Sequence, residues 1–238
     1  YIATGHYARI ENDAGTFKLL TGVDKEKDQS YFLWTLETNI LPQILFPIGA
    51  LQKSDVRSIA SANGLPNAEK KDSQGLCFMG PVDMEDFLKH YIKTTKGNVL
   101  NTEGAVIGDH EGAALYTIGQ RHGFTTTKAG SHDEPYFVVA KNMSDNTITV
   151  AHRSTDTVAQ KVAAFNTDNV VLRNYQKDSV ANIEVRIRYR GELVPAVLKE
   201  SESGIVVTPE RAFADIASGQ SAVFYRGEEC LGGGVISL

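Results

Sequence analysis

The sequence predicts a mostly β protein of the α+β class: an N-terminal α/β remnant, a small mixed unit, and a C-terminal β-barrel of the six-stranded type. Three observations carry this. Only two stretches, 54–63 and 82–93, repeat apolar residues at helical spacing. From Gly97 onward, glycines at 97, 104, 108, 112, 119, 123 and 130 separate short β-branched and aromatic runs. After Arg153, six short apolar segments follow one another, the texture of a small sandwich or barrel. With 238 residues, 42% hydrophobic and 22% charged, the chain is neither disordered nor of low complexity.

Taken in order, Tyr1-Ile2-Ala3-Thr4 reads as a short buried strand entering a glycine turn. No strand of matching type sits nearby, so the chain is expected to be a fragment whose residues 1–36 lack sheet partners and are either partly disordered or associated with another copy. Phe17–Thr21 alternates weakly, a charged turn spans Asp24–Asp28, and Gln29–Leu36 is dense in aromatics and expected to be buried. The first helix has Ser54 as its N-cap, Asp55 in the first turn, and Val56, Ile59 and Ala60 as its apolar stripe; Gly64 and Pro66 stop it. The second helix, Val82–Lys93, repeats Phe87, Leu88, Tyr91 and Ile92. Tyr136–Ala140 and Thr147–Val150 flank Ser144-Asp145-Asn146 as a hairpin. The barrel strands are read at Asn169–Leu172, Ala181–Arg190, Ala196–Leu198, Gly204–Thr208, Ser221–Tyr225 and Cys230–Ile236. The expected domains are 1–75, 76–152 and 153–238.

A net charge of −5 argues against a wholly basic nucleic-acid coat but leaves room for a local patch. No apolar run reaches the roughly 18 residues of a membrane helix; Ile40–Leu51 is broken by Pro42 and Pro47. No signal peptide opens the chain. Two cysteines, Cys77 and Cys230, are too few for a disulfide scaffold and suggest a reducing, cytoplasmic setting.

Chemistry has few places to sit. Cys77 is flanked by Gly75 and Gly80, with Lys70, Lys71 and Asp72 upstream; a nearby cation raises the thiolate fraction. The residues alone leave a nucleophile and a buried structural thiol equally open. Cys230, among apolar residues and glycines, reads as strand packing. Arg186, Arg188 and Arg190 alternate with Val185, Ile187 and Tyr189, which on a regular strand aligns three guanidinium groups on one face. That face suits phosphates, with Tyr189 stacking on a base, or it is a solvated face paired with Glu184 and Glu192. Residues 153–238 carry 10 Lys+Arg against 11 Asp+Glu, so any basic patch is local. The six histidines show no metal-ligand spacing, and no metal site is expected. Gly232-Gly233-Gly234 marks a bulge or a tight strand crossing.

Six segments then resemble one family in register. Tyr1–Arg9, Lys27–Leu36, Lys70–Gly80, Tyr116–Gly123, Ile187–Arg190 and Ser218–Tyr225 occur in the order seen in the tRNA-specific 2-thiouridylases of bacteria and organelles. The resemblance implies an ATP-pyrophosphatase (PP-loop) domain, of which residues 1–75 are the C-terminal remnant, and an RNA-binding C-terminal barrel. It implies an enzyme, a sulfurtransferase, that activates the wobble uridine of tRNA with ATP and Mg2+ and replaces its C2 oxygen with sulfur from a persulfide. Cys77 matches the persulfide-bearing cysteine, and a second cysteine, absent here, would form a disulfide bond with it. Gly5 matches an ATP contact. His6, Lys27, Asp28, Gln29, Arg188, Tyr189 and Gln220 match tRNA contacts. Adjacent Arg188 and Tyr189 can both reach RNA only at a strand end or bulge. A sulfur-relay protein or a cysteine desulfurase is implied as partner. Without the PP-loop signature the fragment alone is expected to be inactive. The competing expectation is an RNA-binding β-barrel module with a structural cysteine and no catalysis; a thiol hydrolase using Cys77 and His122 is a distant third.

Overall fold

The computed structural model describes residues 1–70, 87–88, 90–127, 135–152, 162–174, 183–201, 204–213 and 216–238. They fall into two compact units, one formed by 1–70 with 162–238 and the other within 71–161.

The first unit begins with β1 (Ile2–Ala3), the hairpin β2 (Ala8–Asp13) and β3 (Thr16–Thr21), a 3-10 turn at Ser30–Leu33, and β4 (Ile44–Leu45). The strand read at the N-terminus does have a partner: β1 pairs in parallel with β4, Ile2 opposite Ile44. It is exposed rather than buried. The helix α1 (Lys53–Ala62) starts earlier than its expected cap at Ser54. Gln52 caps it, because the Asp55 carboxylate reaches back to accept the Gln52 N–H. Lys53 N–H is held by the buried Asp24 carboxylate at 3.0 Å, which pins the helix start to the Asp24–Asp28 turn.

The second unit is a five-stranded sheet of β5 (Gly97–Leu100), β6 (Val106–His110), β7 (Phe124–Thr126), β8 (Tyr136–Asn142) and β9 (Thr147–His152), in the order β7-β6-β5-β9-β8. The pairing of β5 with β9 is parallel and the rest are antiparallel. The hairpin expected around Asn146 is β8–β9. Val99, Ile107, Tyr116, Val138, Ile148 and Val150 form its core. Of the helix expected over 82–93, residues 82–86 and 89 lie outside the described residues; 87–88 are helical, and 90–93 are turn or irregular chain rather than helix.

The barrel belongs to the first unit. Its strands are β10 (Phe165–Leu172), β11 (Ile183–Arg186), β12 (Val194–Ser201), β13 (Gly204–Pro209), β14 (Ser221–Arg226) and β15 (Glu229–Ser237). The order β10-β13-β12-β11-β14-β15 closes through β10–β15, so all six strands are paired on both sides. Inward residues are aliphatic or Phe, including Val185, Val194, Val207, Phe224 and Leu231. The Gly232–Gly234 run is the expected crossing. Gly232 has φ of +134°, and a Cβ there would stand 1.9 Å from the Val171 carbonyl; β10 and β15 approach too closely for any side chain.

Residues 1–36 do not stand alone. β3 pairs with β15, Leu20 opposite Glu229, which extends the barrel sheet by the β2–β3 hairpin. Trp34 lies over Gly233, where a Cβ would come within 3.1 Å of the indole, and its Nε1–H donates to Ser221 Oγ at 3.1 Å. Arg173, 1% exposed, donates to the carbonyls of Trp34, Leu36 and Cys230. The aromatic-rich segment is therefore the outer cover of β14 and β15. Among the described residues no helix is long and apolar enough to cross a membrane.

Candidate nucleic-acid interface

The loop Gly22–Gln29 is organised by one buried carboxylate. Asp28, 5% exposed, accepts hydrogen bonds from Gly22 N–H (3.0 Å), Ser30 N–H (3.1 Å) and Ser30 Oγ (2.9 Å). Its Oδ2 also lies 3.6 Å from Arg186 Nη1. Gln29 binds Tyr7 twice, through its backbone N–H to the Tyr7 carbonyl and its Oε1 to the Tyr7 N–H. Within the Lys27-Asp28-Gln29 triplet, Asp28 and Gln29 thus hold the loop, and Lys27 faces a cavity of about 440 Å3. That cavity is lined by Lys25, Glu26, Lys27, Asp28, Arg186 and Arg190.

Arg186 corrects the three-arginine face. β11 ends at Arg186, and a turn follows in which Gly191 N–H donates to the Arg188 carbonyl and Arg190 takes φ of +58°. The three guanidinium groups do not share one strand face, and Arg186 pairs with Asp28 rather than with Glu184 or Glu192. Glu192 pairs instead with Arg211. The turn lies at the strand end that Arg188 and Tyr189 need in order to face the same side.

Tyr189 packs against the aromatic segment. Its ring centroid lies 4.6 Å from that of Phe32 and 6.3 Å from that of Tyr31, and the Arg190 guanidinium sits 5.2 Å from its ring. The Tyr31 hydroxyl reaches the carbonyls of Ile187 (3.2 Å) and Ser221 (3.0 Å). Burial raises the Tyr31 pKa, opposed by the positive charges of Arg188 and Arg186. One phenol therefore ties the start of the Arg188–Tyr189 turn to the residue after Gln220. Gln220 accepts from Ile236 N–H through its carbonyl, and its side-chain Oε1 is buried with no protein partner. Lys27 lines the cavity beside Arg186 and Arg190, Arg188 lines a separate hollow with Gly191 and Glu192, and Gln220 precedes Ser221, which the Tyr31 hydroxyl links to the same turn.

Gly5 and His6 join this region through Tyr7. His6 is half-buried, with Nδ1 2.9 Å from Thr4 Oγ1 and its ring edge-on to Phe46; burial lowers its pKa and leaves it mainly neutral at pH 7. Gly5 is exposed, and a Cβ there would meet only Ile48 at 3.9 Å. Among the described residues no group of three or more His, Cys, Asp or Glu is placed to hold a metal ion. Cys77 and Lys71 lie outside the described residues. Cys230 is buried and unpaired with another cysteine, its Sγ 3.3 Å from Arg173 Nη2, which agrees with its reading as packing.

Phe32 escapes the sequence reading. Gln29–Leu36 was expected to be buried throughout, yet Phe32 is 55% exposed while Ser30 and Trp34 are buried. Its 3-10 turn sends successive side chains in different directions, and no periodicity short of the structure marks which one faces out.

Three family models match the chain in sequence: the tRNA methyl transferase HUP domain over residues 1–81, the tRNA methyl transferase PRC-barrel domain over 85–152, and the aminomethyltransferase β-barrel domain over 162–236. This order places the chain in a class of three-domain proteins, whose models are named for tRNA methyl transferases and an aminomethyltransferase. Similarity to named proteins narrows the class. The tRNA-specific 2-thiouridylase of Buchnera aphidicola is 41% identical over 245 residues, that of Lactiplantibacillus plantarum 39% over 239, and that of Shewanella amazonensis 42% over 239. Each alignment covers 99% of this chain. The chain belongs to the tRNA-specific 2-thiouridylase family. It spans 65%, 64% and 63% of the length of these three relatives, respectively. A match this complete does not favour the stand-alone RNA-binding module.

Proposed function

We propose that the protein acts in ATP-dependent 2-thiolation of the wobble uridine of tRNA, in the cytoplasm, with Cys77 carrying the sulfur. The observation that carries this reading is the turn after β11, which sets Tyr189 and Arg190 against the aromatic segment beside the cavity that Lys27 lines, with Arg188 in the next hollow and Gln220 preceding the Ser221 carbonyl tied to that turn. Sequence-specific RNA readers splay bases against aromatic and guanidinium surfaces and grip the phosphates with cations, which is the chemistry collected there. Asp28 and Gln29 act through the loop they hold and position Lys27. The division into a nucleotide-domain remnant (1–75), a central domain (76–152) and an RNA-binding barrel (153–238) belongs to the same reading.

ATP with Mg2+ is the proposed activator of the base. Gly5 is the described residue assigned to the nucleotide, and among the described residues no group of three or more His, Cys, Asp or Glu is placed to hold the metal. The sulfur step is a thiol exchange. The Cys77 thiolate attacks the terminal sulfur of a donor persulfide, on a cysteine desulfurase or a relay protein. A new S–S bond forms on Cys77 as the donor leaves as thiolate.

Mass spectrometry of the chain after incubation with a cysteine desulfurase and cysteine tests this. One added sulfur on Cys77 and none on the buried Cys230 is the expected result. Sulfur on neither cysteine, or on both alike, overturns the carrier role.

A further inference from the structure

We propose that Phe32 and Tyr189 together form a seat for a single unstacked nucleobase of the bound RNA, beside the cationic cavity that takes the flanking phosphate. This deepens the reading above and rests on it. An exposed phenylalanine is common, but one held outward by a rigid frame is a different matter. On either side of Phe32 the chain is fixed: Ser30 is buried on Asp28, Tyr31 is tied through its hydroxyl to the barrel, and Trp34 is buried on Gly233. Phe32 is nonetheless 55% exposed and contributes nothing to either buried core of this unit.

The geometry favours a third ring. The Phe32 and Tyr189 rings are in contact, their centroids 4.6 Å apart and 42° from parallel, so a base would stack on the exposed face of Phe32 rather than enter between the two rings. Arg190 lies over the Tyr189 ring, 5.2 Å from its centroid. The adjoining cavity places Lys25, Lys27, Arg186 and Arg190 against Glu26 and Asp28, with Glu228 paired to Lys25, four positive charges to three negative. A flat, polarisable group attached to a phosphodiester matches both features, and an apolar peptide segment would match only the first.

The test uses the full chain and a short RNA hairpin carrying an anticodon loop, with 2-aminopurine placed at successive loop positions. Wild type is expected to bind and to quench the fluorophore at one position. Phe32→Ala should lose that quenching and weaken binding about 5- to 100-fold, the range of one base–aromatic stack. Phe32→Trp should restore both, whereas Phe32→Leu, which keeps apolar bulk without a π face, should not. An abasic site at the quenched position should make Phe32→Ala silent. If wild type binds, Arg188→Ala weakens it and Phe32→Ala changes neither affinity nor quenching, the seat is wrong and the RNA reading stands. If wild type does not bind the hairpin even at low salt, both fail.

Discussion

Inside the barrel, the buried residues are aliphatic or phenylalanine and come from six strands within 162–238; outside it, Ala8, Leu19, Trp34, Leu41, Val223, Tyr225 and Cys230 form a second core between the N-terminal segment and the backs of β14 and β15. The two cores share a strand. On β14, Ala222 and Phe224 point inward, and Val223 and Tyr225 point outward into the seam. They differ in what accompanies the apolar surface. The interior core is almost free of polar atoms, whereas the seam carries Asp28, Ser30 and Arg173, all buried. Ser30 Oγ and Tyr225 Oη, 195 residues apart in the chain, lie 3.2 Å from each other. A core filled by alternation tolerates repacking, because its specificity is volume. A seam held by buried polar groups is specific in direction, since each unmatched donor or acceptor costs free energy.

That difference can be broken first from the inside. Phe224→Ala removes a fully buried ring from the barrel and should cost about 3–5 kcal/mol, unfolding strands and seam in one transition when followed by denaturant titration. Arg173→Met should cost somewhat less, about 3 kcal/mol, because it strands the carbonyls of Trp34, Leu36 and Cys230. Its signature is local: limited proteolysis should cut within residues 1–36 before the barrel yields. Simultaneous loss of both would show that seam and interior are one cooperative unit.

The third test uses pH. Burial, partly offset by Arg173, pushes the Cys230 thiol up to about 11, above its unfolded value of roughly 8.5. The folded state keeps its proton where the unfolded state has lost it, so stability is full below about pH 8.5 and falls as pH rises through 11, by about 3 kcal/mol. Tyr225, raised chiefly by burial, adds a fall of the same sign at still higher pH. Cys230→Ala should flatten the melting-temperature profile between pH 9 and 11, and a profile unchanged by that substitution would remove the thiol from the account. The smallest effect is expected at the rim. Glu228→Gln loses exposed ion pairs to Arg9 (2.6 Å) and Lys25 (2.7 Å) and should cost about 0.5 kcal/mol, a loss that high salt abolishes.

Much of the fold was legible. The strand segments of the barrel, the hairpin at Asn146 and the close crossing at Gly232–Gly234 follow from alternation, turn residues and the absence of Cβ, all local properties. The proposed site residues came from the family resemblance, and the turn after β11 supplies the strand end that adjacent Arg188 and Tyr189 require. Among the readings that failed, three show the physical reason at single residues. The helix cap moved from Ser54 to Gln52 because Asp55 reaches back and Asp24 holds Lys53 from another segment. Arg186 left the arginine face because a buried carboxylate more than 150 residues upstream claims it. Phe32 turned outward because a 3-10 turn obeys neither the strand nor the helix period.

By itself, then, the sequence determined where strands form, where chains cross and which side chains bear charge and thiol chemistry, since each depends on neighbours a few residues away. Only the tertiary structure decided that the hairpin β2–β3 joins the barrel sheet, that Asp28 spends its charge on Arg186, and that Phe32 meets Tyr189 in the open. Those partnerships exist only once barrel closure brings residues 20–36 against strands some 160 to 200 positions later, and the burial that selects each polar partner is a property of that closed surface.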